Sequence, residues 1–182
     1  MVWFVLLGLL ILVVLVFVYY MNRIIILENR VDNAWSQIDV QLKKRVDLVP
    51  NLVETVKGYM KHEKEAIKAV TRARERMMKA GSDEERVKAN NQMAGALKTI
   101  FALAENYPKL RANENFMMLQ EELSAVENKI AYARQFYNDS ILTYNNLVET
   151  FPGRMFASIL GKKKKKHLEI EPAERKAVKV DF

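Results

Sequence analysis

The chain has 182 residues, half of them hydrophobic and 28% charged, which allows one domain plus an extension and requires the apolar residues to be concentrated somewhere. It has no cysteine, which suits either side of a membrane, and its net charge of +7 is unevenly spread. Eight Lys and Arg against four Asp and Glu in residues 162–182 account for +4 of that charge, so the remainder offers no general basic surface for nucleic acid.

Residues 2–21, VWFVLLGLLILVVLVFVYYM, carry no charged side chain. As a helix, twenty such residues rise about 30 Å, the thickness of a bilayer's hydrocarbon core. Tyr19 and Tyr20 suit the headgroup level at its end. No Lys or Arg precedes the run, and Val18-Tyr19-Tyr20-Met21 is a poor cleavage site, so residues 1–22 are expected to be an uncleaved anchor and not a signal peptide. Arg23, Arg30 and Lys43-Lys44-Arg45 follow it. The positive-inside rule then places the N-terminus outside and the rest of the chain in the cytoplasm, at a bacterial inner membrane.

Residues 23–153 show helical periodicity with breaks near Pro50, Gly81, Pro108 and Pro152-Gly153, and no strand pattern. Four helices are expected, at about 23–46, 48–79, 83–106 and 114–150. In the first, Ile24, Leu27, Val31, Trp35, Ile38 and Leu42 form an apolar stripe. Asn29, Asn33, Gln37 and Gln41 recur every four residues beside it, as a solvated face or an interaction face. Pro50 fits the first turn of a new helix capped by Asp47, or a kink in one continuous helix. Ser82 with Glu85 reads as a capping box opening the third helix, and Asn113 as the N-cap of the fourth.

The fourth helix has the strongest pattern. Phe116, Leu123, Ile130, Tyr137, Tyr144 and Phe151 are spaced by seven, with Leu119, Val126, Ala133 and Leu147 between them and Ser140 the one interruption. A coiled-coil-like seam of this length, together with three other amphipathic helices, favours an antiparallel up-and-down four-helix bundle over an isolated coiled coil.

That topology returns residue 151 to the bilayer and gives the tail, residues 154–182, a location. Met155, Phe156, Ile159 and Leu160 are placed to dip into the interface, with Lys162, Lys163, Lys164, Lys165 and Lys166 against anionic headgroups. Each lysine near such a surface contributes about 1 kcal/mol. A solvated tail is the alternative. Nucleic acid is the weakest reading, because the lysines are contiguous and lack interleaved aromatics.

Nothing points to catalysis, a metal or a cofactor. His62-Glu63 opens like a zinc-protease helix, but position 66 is Ala where the second ligand is needed. Neither a P-loop nor a nucleophile elbow occurs, and no Glu-x-x-His pair marks a di-iron bundle. Tyr132, Phe136, Tyr137 and Tyr144, with Arg134 and Asn138, read as a core stripe with hydroxyls at its edge before they read as a pocket.

Residues 29–67, NRVDNAWSQIDVQLKKRVDLVPNLVETVKGYMKHEKEAI, resemble the LemA family, as do residues 101–153 and the tail that follows. The likeness covers essentially the whole chain. It implies a bacterial membrane protein with a four-helix bundle and a true turn at Pro50. It transfers no enzymatic activity, cofactor or catalytic residue, and its association with specialised membranes such as magnetosomes hints at membrane organisation. The expectation is a non-enzymatic scaffold, homo-oligomeric and bound to the lipid bilayer, that self-associates at the membrane. The alternative is a monomeric adaptor or regulator of another membrane protein, such as a sensor or protease.

Overall fold

A computed structural model describes residues 1–168, and all regular structure among them is helical. The helices are α1 (Val2–Lys57), α2 (Lys64–Lys79), α3 (Asp83–Ala104), the single turn α4 (Pro108–Arg111), α5 (Glu114–Glu149) and α6 (Gly153–Ile159). Ser82 caps α3, its hydroxyl accepting from the Glu85 N–H at 3.3 Å while the Glu85 carboxylate accepts from the Gly81 N–H at 2.8 Å. Asn113 caps α5 by accepting from the Phe116 N–H at 3.0 Å.

The break expected at Pro50 is absent: α1 continues through it to Lys57, and the chain turns at residues 58–63. Residues 48–57 therefore belong to α1, and 64–79 alone form α2. Pro50 has no N–H for the carbonyl of residue 46. Arg74 supplies the missing donor, its Nε donating to the Val46 carbonyl at 3.1 Å. The helix keeps a satisfied acceptor at the position where proline would otherwise have ended it.

The described residues divide into two units. The first comprises Met1–Ser36 and the chain from Ala133 onward. Its core is built from Ile24, Leu27 and Val31 of α1, Ile141, Tyr144 and Val148 of α5, and Ala157 of α6. Both long helices present residues at three- and four-residue steps, the spacing of close helix-on-helix packing. Trp35 meets Tyr137 edge-on, with ring centroids 5.6 Å apart.

Gln37–Tyr132 form the second unit. Here α2 packs against α3, and Arg76 donates to Gln92 at 2.8 Å. Its buried residues include Leu42, Leu52, Met60, Val70, Met93, Leu97, Ile100, Phe116, Leu123 and Ile130. Arg45, 1% exposed, lies among them with its guanidinium on Asn90 at 2.6 Å and on the Glu127 carboxylate. Burial lowers its pKa to about 10.

Most of the expected α5 seam is buried. Phe116, Leu119, Leu123, Val126, Ile130, Ala133 and Tyr144 are buried, and Tyr137 and Leu147 are half-buried. Phe151 is 82% exposed, because α5 ends at Glu149 and the heptad register ends with it. Ser140, the interruption, is buried and donates to the Phe136 carbonyl at 2.8 Å.

Candidate membrane-contact site

The apolar run at the start of α1 is exposed from Met1 to Tyr19 and contributes nothing to the core, which begins at Ile24. It is the one stretch among the described residues long and apolar enough to cross a membrane. At its end, Phe156 of α6 stacks on Tyr20, with centroids 5.1 Å apart and planes at 9°, and meets Phe17 edge-on at 5.8 Å. A helix of seven residues is thus held against the last turns of the span.

This docking separates the four apolar residues expected at the interface. Phe156 and Leu160 turn inward and pack on the unit 1 core. Met155 and Ile159, one turn apart, stay exposed. Gly153 makes the preceding turn possible: a Cβ there would collide with the Leu147 carbonyl oxygen.

After α6, Gly161 adopts φ +64°. Its N–H donates to the Ser158 carbonyl at 3.1 Å, and the Lys162 N–H to the Ala157 carbonyl at 2.9 Å. This paired C-terminal cap uses a left-handed residue, where glycine is favoured. It sends the lysine run back over α1 and α5 of unit 1.

Lys162 Nζ lies 2.5 Å from the Glu28 carboxylate, and Lys165 Nζ 3.8 Å from Glu28 and 3.2 Å from Asp32. Lys164 pairs with Glu149 at 3.3 Å, while Lys163 and Lys166 are exposed. Glu28 and Asp32 are successive turns of α1 beyond the span, so the segment runs away from the apolar end as it proceeds. The hydrogen bond to Glu28 raises the Lys162 pKa. Burial, and then the charge of Glu28, raise that of Tyr144, whose hydroxyl donates to the Lys163 carbonyl at 3.2 Å.

The other expected positions are less concentrated. Asn29 and Asn33 are exposed in unit 1. In unit 2, Gln37 is exposed and Gln41 half-buried, with its Oε1 lacking a hydrogen-bond partner. Of the aromatic group, Phe136 receives the Arg30 guanidinium at 5.3 Å and Tyr132 is exposed. An open hollow on α5 is lined by Met117, Gln120, Glu121, Ser124, Ala125 and Asn128. Among the described residues no group of three His, Cys, Asp or Glu is placed to hold a metal.

Asn138, expected beside an aromatic stripe, grips the tail together with Asn145, which no sequence motif marked, and Arg45, expected as a flanking charge, is buried. The seven-residue spacing of the two asparagines beside the α5 seam was the available signal.

An exposed apolar span joined to an all-helical body defines a membrane-associated helical protein. The model of the LemA family matches residues 34–182, and the chain belongs to that family. It is 26% identical to Protein LemA of Metamycoplasma hominis over 140 residues, covering 75% of this chain and 63% of that one. It is 24% identical to the magnetosome protein MamQ of Magnetospirillum gryphiswaldense over 164 residues, covering 76% and 60% respectively. A magnetosome protein MamQ 2 of Paramagnetospirillum magneticum is 28% identical over 85 residues, 47% of this chain and 31% of its own. The chain thus spans less than two thirds of the length of these relatives.

Proposed function

We propose that the protein is a non-enzymatic scaffold anchored in the bacterial inner membrane, whose helices form an antiparallel up-and-down bundle that self-associates at the cytoplasmic face. The stacking of Phe156 on Tyr20 carries this reading, because it sets α6 beside the end of the span with Met155 and Ile159 exposed. Span and α6 together give each protomer two membrane attachments, and a doubly attached body has a fixed orientation from which lateral association follows. A small apolar face beside basic residues is the usual form of such a surface contact. The names of the magnetosome relatives fit a role in membrane organisation.

Gentle extraction followed by mass measurement and negative-stain imaging tests the scaffold. Closed rings or a regular lattice support it. A monodisperse monomer favours an adaptor for another membrane protein, a reading that draws on the exposed Met117 and Met118 of α5. Sidedness is tested separately by cysteine labelling of an introduced C-terminal cysteine in oriented vesicles.

A further inference from the structure

Unit 1 holds residues 162–168 mainly through their backbone. The Asn145 side chain, 8% exposed, donates to the Lys165 carbonyl at 2.9 Å and accepts from the Lys165 N–H at 2.9 Å. Asn138 repeats the arrangement with Leu168, donating to its carbonyl at 3.1 Å and accepting from its N–H at 2.9 Å. Seven residues of α5 separate the two amides, a rise of about 10.5 Å. Three residues of extended chain span about 10 Å, so the amides match the repeat from Lys165 to Leu168. Tyr144, 1% exposed, adds its bond to the Lys163 carbonyl.

Main-chain contacts accept almost any side chain. Selection for lysine comes from α1, where Glu28 and Asp32 take Lys162 and Lys165, and from the Tyr144 ring, 5.7 Å from Lys165 Nζ. These ion pairs are partly exposed, hence weak and screened by salt. An anionic leaflet attracts each lysine with comparable strength.

We infer that unit 1 contains a binding groove for an extended, lysine-bearing peptide, that its occupant is this chain's own 162–168 segment, and that anionic headgroups compete with Glu28 and Asp32 for Lys162 and Lys165. The inference rests on the membrane anchoring proposed above, but not on self-association or sidedness. It makes the lysine run a latch. Fastened, three of the five lysines sit on the protein's own carboxylates; released, all five face the bilayer.

Amide exchange on the full-length protein in nanodiscs tests it. In phosphatidylcholine discs, the Lys165 and Leu168 amides are expected to exchange about tenfold or more slowly than those of Lys164 and Lys166, as protected donors do. Asn145→Ala removes the protection at Lys165, with the amides of α3 reporting that the variant is folded. Adding phosphatidylglycerol brings both amides toward the rates of their neighbours. The double variant Glu28→Gln/Asp32→Asn does the same without anionic lipid and strengthens attachment to anionic vesicles. Equal rates at residues 164–168 in phosphatidylcholine overturn the groove. Protection that persists unchanged in phosphatidylglycerol overturns the competition with lipid. A scaffold that proves monomeric leaves the phosphatidylcholine pattern in place, so the two readings fail independently.

Discussion

Arg74 donates from Nε to the Val46 carbonyl, the acceptor that Pro50 leaves without a helical partner. This bond spans 28 positions of sequence and satisfies the orphaned acceptor inside an α1 that runs on where a turn was expected. It couples a residue of α2 to the integrity of α1, and the coupling is measurable.

Arg74→Met should cost about 1–2 kcal/mol by removing a charged donor from a partly buried carbonyl. In a Pro50→Ala background the backbone supplies its own N–H, and the same substitution should cost less than half as much. Chemical denaturation of the four proteins closes a double-mutant cycle. Additive losses would show that Arg74 stabilises the fold by some other route.

Arg45 gives a second test. Glu127→Ala leaves a buried guanidinium without its carboxylate, and loss of a buried pair's partner costs about 3–5 kcal/mol. Glu127 is 48% exposed, which screens the pair and moves the expectation to the lower end. Arg45→Met, which removes the buried charge itself, should cost less than Glu127→Ala in the same denaturation experiment. The reverse order would mean that Asn90 and solvent suffice to satisfy the cation.

The two glycines around α6 should differ in kind. Gly153→Ala places a methyl group against the Leu147 carbonyl oxygen, which is backbone and cannot move aside, so α6 should leave its seat on Tyr20. At Gly161 nothing lies within 4 Å of a Cβ, and Gly161→Ala should cost only about 1 kcal/mol from its left-handed backbone. Tyr20-to-Phe156 contacts, read by aromatic NMR cross-peaks, should vanish in the first variant and persist in the second.

Alkali should open the clasp. The Tyr144 hydroxyl and the Lys162 ammonium both titrate above their ordinary values of 10.0 and 10.5, the first chiefly through burial and the second chiefly through its hydrogen bond to Glu28. In each case the folded protein keeps a proton that the unfolded chain releases. Their contributions are complete below about pH 10 and fade as the pH rises through the raised values. Tyrosinate absorbance should therefore show a late step shared with Tyr107, whose pKa its hydrogen bond to Glu63 also raises, and Tyr144→Phe should shrink that step. A late step of unchanged amplitude in the variant would assign it to Tyr107 alone.

Membrane contact by α6 predicts that Met155→Glu/Ile159→Glu lowers quenching of a nearby fluorophore by lipid-borne quenchers, with the helical content unchanged. Equal quenching in variant and parent would remove α6 from the membrane surface.

What could be read from the sequence was what depends on near neighbours. The span follows from twenty uncharged residues, the Ser82 cap from Glu85 three positions on, the Asn113 cap from its residue type, and the apolar stripes of α1 and α5 from helical spacing. Family membership was legible for a similar reason, since long stretches of residue order carry it. What tertiary structure decided were the contacts between distant positions. Lys165 finds Asp32 across 133 residues, and Arg45 finds Asn90 across 45. Contiguous lysines carry no mark of which will meet a carboxylate, because that depends on where α6 and Gly161 send the chain. Pro50 likewise reads as a break until a donor from another helix reaches its orphaned acceptor. Local periodicity sets which helices form; the pairing of buried and charged groups across the fold sets where they end and what the tail does.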